Sequence, residues 1–427
     1  MRRVVKVSRI RIIITIIVVV LTTLLTGCTG KEPNEIAYVV ALGIDSTDDD
    51  NYKITIQYAN TTQISGGASE SGGKAGSEIV DNVTIEAPNI YAGVGLANNI
   101  VSKSFSMSHA KLIVFSKEIA EKGVKDMIET LVRSEEIRPD VFIAVANTTA
   151  NDYLTSVNPE MEVNPAQYYQ LIYQKNQLVG IPDGQLREFF TGLYTDNYDS
   201  ILPVAGVIEG AGGNSQNDDK GQSKDSQNEG SEGSSESLDS FESKNSDENE
   251  KEKDAEKNTS KYEYDIKNYV GGETAIEKKN KAEAIGAAVF EKDKMVGELG
   301  EVETEICKML KGDYTYSYLT YYNNDTPDIP ITVKTTQQKK PKYKIDTDKK
   351  TVDIELYIES DLYSLPADYN VENKIEDFER DVANYTSSAC TEFINNFTKK
   401  YNSDILKLNE KVKYKFLTNN QYNWFKK

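Results

Sequence analysis

The sequence predicts an α+β (mixed α/β) fold: an N-terminal region of strands alternating with helices, then a C-terminal domain in which an antiparallel sheet packs on a long helix. Three features lead there. Ahead of residue 210, short apolar runs of strand length alternate with stretches of helical period. Beyond residue 281, strand-like runs follow one another with one helical stretch among them. Near the C-terminus, Ile375, Phe378, Val382, Tyr385, Ala389, Phe393 and Phe397 repeat at spacings of three and four, the stripe of an amphipathic helix.

The first strand is read at Ile36–Asp45, a continuous apolar run ended by Asp-rich turn chemistry at Ser46–Asp50. Tyr52–Tyr58 alternates and reads as a half-buried strand pairing back in a hairpin. Ile64–Ser77 is rich in Gly and Ser and reads as a loop. A strand at Ile79–Glu86 precedes a helix from Pro88 to about Ser102, with Ile90, Val94, Ala97 and Val101 on one face. Lys111–Phe115 is a buried strand, the next helix runs through Val124, Ile128, Leu131 and Val132, and Val141–Ala146 is again a buried strand. Pro165–Tyr194 is helical in two pieces around the breaker Gly180–Gly184, and a strand at Pro203–Ile208 closes this part.

From residue 210 to 268 the composition collapses to Ser, Asn, Asp, Glu, Lys and Gly. So few apolar side chains cannot offset the entropy of ordering, which makes this a disordered acidic insert. Beyond it, strands are expected at Ala284–Phe290 and Met295–Leu299, a helix at Glu301–Lys311, and strands at Tyr314–Tyr322, Ile329–Thr335, Pro341–Asp346 and Thr351–Ile358. In the last of these Val352, Ile354, Leu356 and Ile358 face inward, and the long helix then covers about Val371–Lys399. The expected organisation is a signal peptide at 1–27, an N-terminal region at 28–209 with subdivisions at about 34–155 and 156–209, the insert at 210–268, and a C-terminal domain at 281–427.

The N-terminus has a cluster of Lys and Arg, an apolar run from Ile12 to Leu25 and then Leu25-Thr26-Gly27-Cys28. These are the parts of a secretory signal closed by a lipobox. The run is about 14 residues, short of the roughly 20 needed to cross a hydrocarbon core, so it reads as a cleaved lipoprotein signal rather than an anchor helix. Cys28 would become the first mature residue and carry a diacylglycerol. Each buried methylene contributes about 0.8 kcal/mol, and two acyl chains hold where one is marginal. The body then lies outside the cytoplasm, held at the bilayer through Cys28.

A net charge of −19 argues against nucleic acid, whose phosphates attract Lys and Arg, and against charge-driven adhesion to anionic lipid. His109 is the single histidine, which removes most routes to a Ser-His-Asp triad or a histidine-ligated zinc; it reads as a structural or surface residue beside a strand. Cys307 and Cys390 are too few for a disulfide framework and read as two buried thiols, with one bridge as the alternative.

Gly93-Val94-Gly95-Leu96-Ala97-Asn98 has two glycines of a dinucleotide loop but lies in a helical stretch, with Asn98 in place of the third. Ser46–Asp50 lacks the spaced ligands of a calcium loop. Tyr314, Tyr316, Tyr318, Tyr321 and Tyr322 read as sheet packing, with an aromatic partner surface as the second reading. The residues present no catalytic, metal or cofactor site, and no enzyme activity is expected.

Several ordered segments resemble a known family. They are Asn34-Glu35-Ile36 with Ala41–Asp45, Tyr52–Gln57, His109–Ser116 with Ile119-Ala120, Leu131–Ala146 with Arg133 and Ile137-Arg138-Pro139, Gly286–Phe290 with Lys294–Leu299, and Asn402–Leu406. Together they resemble the C subunit of spore germination nutrient receptors, the Ger(x)C family of lipoproteins. Thr29 stands where that pattern has an aromatic residue, and the chain stops at Trp424-Phe425-Lys426-Lys427 where the family continues into a last β-strand. The resemblance implies a non-catalytic receptor subunit, lipid-anchored through Cys28 on the outer face of the spore inner membrane. Its implied partners are the integral membrane A and B subunits. It leaves open whether the subunit touches a small-molecule ligand. A solute-binding lipoprotein of a transporter is the alternative, and a cell-wall hydrolase a third class that no motif supports.

Overall fold

The computed structural model describes residues 11, 13–20, 35–49, 51–59, 80–159, 162, 164–174, 180–195, 198–208, 268–274, 280–321, 330–365, 375–416, 418 and 421–422. Cys28, the loop at 64–77, the acidic insert up to residue 267 and the last five residues lie outside them. Among the described residues no helix is long and apolar enough to cross a membrane.

A nine-stranded sheet dominates. Its strands are β1 (Ile36–Ser46), β2 (Tyr52–Ala59), β3 (Val80–Ala87), β4 (Ser104–Ser106), β5 (Leu112–Ser116), β6 (Phe142–Ala146), β7 (Ile201–Val207), β8 (Ala282–Glu291) and β9 (Lys294–Leu299). The order is β3-β2-β1-β5-β6-β7-β8-β9, with β4 beside β1. β1, β5, β6 and β7 run parallel through the centre, and antiparallel strands flank them.

The central strands are apolar without alternation because both faces are covered. In β5, Ile113 and Phe115 enter one core while Leu112 and Val114 enter the other. The first core takes helices α1 (Ile90–Ala97), α2 (Lys117–Lys122), α3 (Lys125–Val132) and α6 (Leu186–Tyr194). The second takes α4 (Ala150–Ser156) and α5 (Pro165–Gln174). The hairpin read at Tyr52–Tyr58 forms, but Thr55 and Gln57 are buried along with Ile54 and Ile56, so this strand too is covered on both faces.

The C-terminal part holds α7 (Glu301–Lys311), strands β10 (Tyr316–Tyr321), β11 (Ile331–Asp346) and β12 (Thr351–Ser364), and helices α8 (Ile375–Lys400) and α9 (Leu408–Lys413). Its antiparallel sheet is β10-β11-β12. α8 spans two cores. Phe378, Val382 and Tyr385 lie against Tyr321, Ile331 and Val333, while Cys390, Phe393 and Phe397 join a cluster with Val289, Leu299 and Leu310.

The structure departs from the sequence reading in several places. β8 and β9, read as the opening of the C-terminal domain, pair onto β7 and extend the large sheet. The strands read at Ile329–Thr335 and Pro341–Asp346 are one strand; Pro341 sits at an irregularity between Lys339 and Lys342, where its missing N–H costs no ladder bond. The helix read from Pro88 to Ser102 stops at Ala97, where the backbone tightens into turns with Asn99 N–H on Leu96 O and Ile100 N–H on Ala97 O, and Asn98 Oδ1 accepts from Phe105 N–H (2.8 Å). The helix read through Val124, Ile128, Leu131 and Val132 begins at Lys125, with Val124 as its N-cap, and Gly123, at φ +123°, separates it from α2. β4, α4 and α9 were not expected. The inner face of β12 is half-open rather than buried, and Val352 is 37% exposed.

Candidate functional site

Each residue singled out in the sequence has a definite place. His109 is exposed, its Nδ1 3.0 Å from Ser108 Oγ and its ring edge-on to Tyr38 at 4.8 Å. Gly93 lies inside α1, where a Cβ would come within 2.6 Å of Ile54 Cδ1. That glycine serves close helix-on-strand packing rather than a phosphate. Ser46–Asp49 forms the turn after β1, with Thr47 N–H donating to Asn51 O at 3.2 Å.

The tyrosines divide by face. Tyr314 and Tyr321 are buried, while Tyr316 and Tyr318 sit on the outer face of the small sheet beside Tyr363. Tyr322 lies outside the described residues. Cys307 and Cys390 are free and buried in one cluster. Burial pushes their thiols up to about 11 and about 12, so both stay protonated and weakly nucleophilic at neutral pH. Among the described residues no group of three or more His, Cys, Asp or Glu side chains could hold a metal ion.

Two hollows in the C-terminal part lie on either side of α8. A groove of about 1080 Å³ runs between α8 and the half-open inner face of β12, where Ile354, Leu356 and Leu362 oppose Ile375, Val382 and Ile394. On the other side a smaller cavity, about 200 Å³, lies between α7 and α8 above β10 and β11. Cys390 and Thr386 line both.

α7 builds the wall of the smaller cavity. Its N-terminus is capped by Asn268 Oδ1, which accepts from Val302 N–H at 3.0 Å, and by Glu303, which accepts from Gly300 N–H at 3.1 Å. Gly312, at φ +81°, ends it. Between these ends Val302, Ile306 and Met309 place apolar side chains on the cavity, and Glu305 falls on the same stripe. The Glu305 carboxylate accepts from Ser317 Oγ at 2.8 Å. Burial lifts its pKa to about 7, with a further push from Glu301 and against the pull of that hydrogen bond and of the Lys308 charge. Lys308, one turn on, sends its ammonium to Ile181 O at 3.0 Å, and its charge also acts on Glu305.

Sequence reasoning passed over Glu305. The signal was present: an acidic residue three positions after Val302 and four before Met309 interrupts an apolar stripe and must be buried with it. The β12–α8 groove could not be read in the same way, because it is made by strand and helix faces that fail to close.

Two family models match the chain in order. The one described as spore germination protein N-terminal domain matches residues 30–207, and the one described as spore germination B3/GerAC like, C-terminal, matches residues 285–427. Spore germination protein KC of Bacillus subtilis (strain 168) is 26% identical over 174 residues, covering 38% of this chain and 42% of that protein. Spore germination protein B3 of the same organism is 26% identical over 148 residues, covering 32% and 36%. The chain thus spans about two fifths of the length of such curated relatives. Among solved structures, the crystal structure of the GerBC protein aligns over 89% of this chain and 88% of its own, with 14% identity and a TM-score of 0.45.

Proposed function

The chain belongs to the Ger(x)C family of spore germination proteins, and we propose that it is the lipid-anchored C subunit of a germinant receptor at the spore inner membrane. The observation that carries this reading is the order of parts: a lipobox ending at Cys28, then the two family domains on either side of the acidic insert. In this reading a diacylglycerol on Cys28 holds the body on the outer membrane face, and the integral membrane A and B subunits are its partners. The body assembles the receptor or passes on its signal without chemistry of its own. In keeping with that role, the buried thiols are protonated, and the sole histidine sits exposed against Tyr38. The solute-binding alternative calls for two similar lobes about a cleft; here strands from both family domains share one continuous sheet.

Deleting the gene tests the reading. Spores should lose germination in response to at least one nutrient, and unchanged germination with every nutrient would sink it. A Cys28→Ala chain should leave the membrane fraction; retention there with an uncleaved mass would point to a transmembrane signal anchor instead. Co-purification of the A and B subunits with the wild-type chain from spore membranes, and its loss on deleting either, tests the assembly role.

A further inference from the structure

We propose that the cavity between α7 and α8 binds a small organic cation, an ammonium group on a short apolar body, with the Glu305 carboxylate as its counter-charge. The proposal stands on the cavity and is independent of the receptor reading. Its volume, about 200 Å³, has room for roughly six or seven water-sized groups at about 30 Å³ each. The walls are mainly apolar: Ile306 and Met309 from α7, Leu319 from β10, Ala389 and Phe393 from α8. They suit a short alkyl or single-ring body.

Charge decides the head group. No Lys, Arg or His is among the described residues lining the cavity, whereas Glu303, Glu305 and Glu392 are. Glu303 is committed to the α7 cap through Gly300 N–H and Asn268 Nδ2, and Glu392 is exposed. Glu305 is mostly buried on the apolar stripe, oriented by Ser317 Oγ at 2.8 Å. The nearby cation, Lys308, acts on Glu305 through its charge, but its ammonium is hydrogen-bonded to Ile181 O and does not line the cavity. A carboxylate in apolar surroundings is costly unless a positive group meets it. An ammonium ligand supplies that group with a charge-assisted hydrogen bond. An anion, or a zwitterion whose carboxylate must also enter, would meet three glutamates and no base. Phe393 and Tyr385 add aromatic rings to the lining, which favours a cation further.

The test titrates the full-length chain in detergent with pentylammonium and benzylammonium chloride, followed by calorimetry, with pentanol and pentanoate as the neutral and anionic counterparts. Saturable binding of one ammonium per chain is expected, weaker by about tenfold or more in Glu305→Gln, which keeps the side-chain shape. Pentanol and pentanoate should bind more weakly than pentylammonium. Ala389→Leu, checked for unchanged circular dichroism, fills the cavity from α8 and should abolish binding while leaving Glu305 intact. Absence of saturable ammonium binding, equal affinity in Glu305→Gln, equal binding of pentanol, or unimpaired binding by folded Ala389→Leu would each overturn the proposal.

Discussion

The carboxylate of Asp45, at the end of β1, accepts hydrogen bonds from the backbone N–H of Ala150 at 2.6 Å and of Asn151 at 3.0 Å, and so caps a helix about a hundred residues further along the chain. Asp45 is 4% exposed, and burial raises its pKa although both N–H groups pull the other way. Asp45→Ala leaves one buried and one half-buried donor without this acceptor and should lower the unfolding free energy by about 2–4 kcal/mol. Asp45→Asn, whose amide oxygen can still accept, should cost about half as much. Urea denaturation of the three chains decides; an Asp45→Ala loss below that of Asp45→Asn would mean that the cap is not what holds α4.

Two glycines should respond to the same substitution with opposite signs. Gly286 in β8 has φ +85°, and a Cβ there would lie 2.6 Å from Leu299 O, so Gly286→Ala should destabilise by about 2–3 kcal/mol. Gly95 is exposed inside α1 with nothing within 4 Å of its would-be Cβ. Gly95→Ala should therefore stabilise by about 0.5–1 kcal/mol. Melting temperatures that shift in the same direction for both would contradict these backbone assignments.

Glu305 should give the protein a pH-dependent stability that Glu305→Gln removes. Burial raises its folded pKa from 4.5 to about 7. The folded state then holds the proton more tightly than the unfolded one, so the contribution is fully present below pH ~4.5 and lost as pH rises through ~7. Wild type should lose roughly 2–3 kcal/mol relative to Glu305→Gln across that window. Chemical denaturation of both chains at pH 5 and pH 8 measures it, and parallel stabilities would show that Glu305 ionises as it does in water.

Much of the fold was legible because local pattern and tertiary burial agree. The runs Leu112–Phe115 and Phe142–Ala146 are apolar throughout because alternate residues serve two cores. Glu301–Lys311 was read to the residue, bounded as it is by Gly300 and Gly312 and striped in between. What was missed depends on contacts that local periodicity does not encode. Ala150–Ser156 has too few apolar residues for a stripe, and its start is held by Asp45. β8 and β9 read as a new sheet, since their pairing with β7 reaches across the acidic insert. Of the cavity, Glu305 alone left a mark in the sequence, as a charge on an apolar stripe; the space beside it arises from how α7, α8, β10 and β11 meet.

The buried amide of Gln57 should couple energetically to the hydroxyl of Tyr169. Gln57 Nε2 donates to Leu154 O at 2.9 Å, and Tyr169 OH donates to Gln57 Oε1 at 2.5 Å, tying β2 to α4 and α5 where no solvent reaches. Tyr169→Phe removes the donor and leaves the amide oxygen buried without it, at a cost of about 1–3 kcal/mol. Gln57→Leu should cost a similar amount by stranding both the tyrosine hydroxyl and the Leu154 carbonyl. In the double variant the hydroxyl and the amide are gone together, and just the carbonyl remains to be met. Its loss should therefore fall short of the sum of the single losses by about 1 kcal/mol or more. Strict additivity would mean that the two groups find other partners once separated, and that the link between β2 and α5 rests on ring packing rather than on this bond.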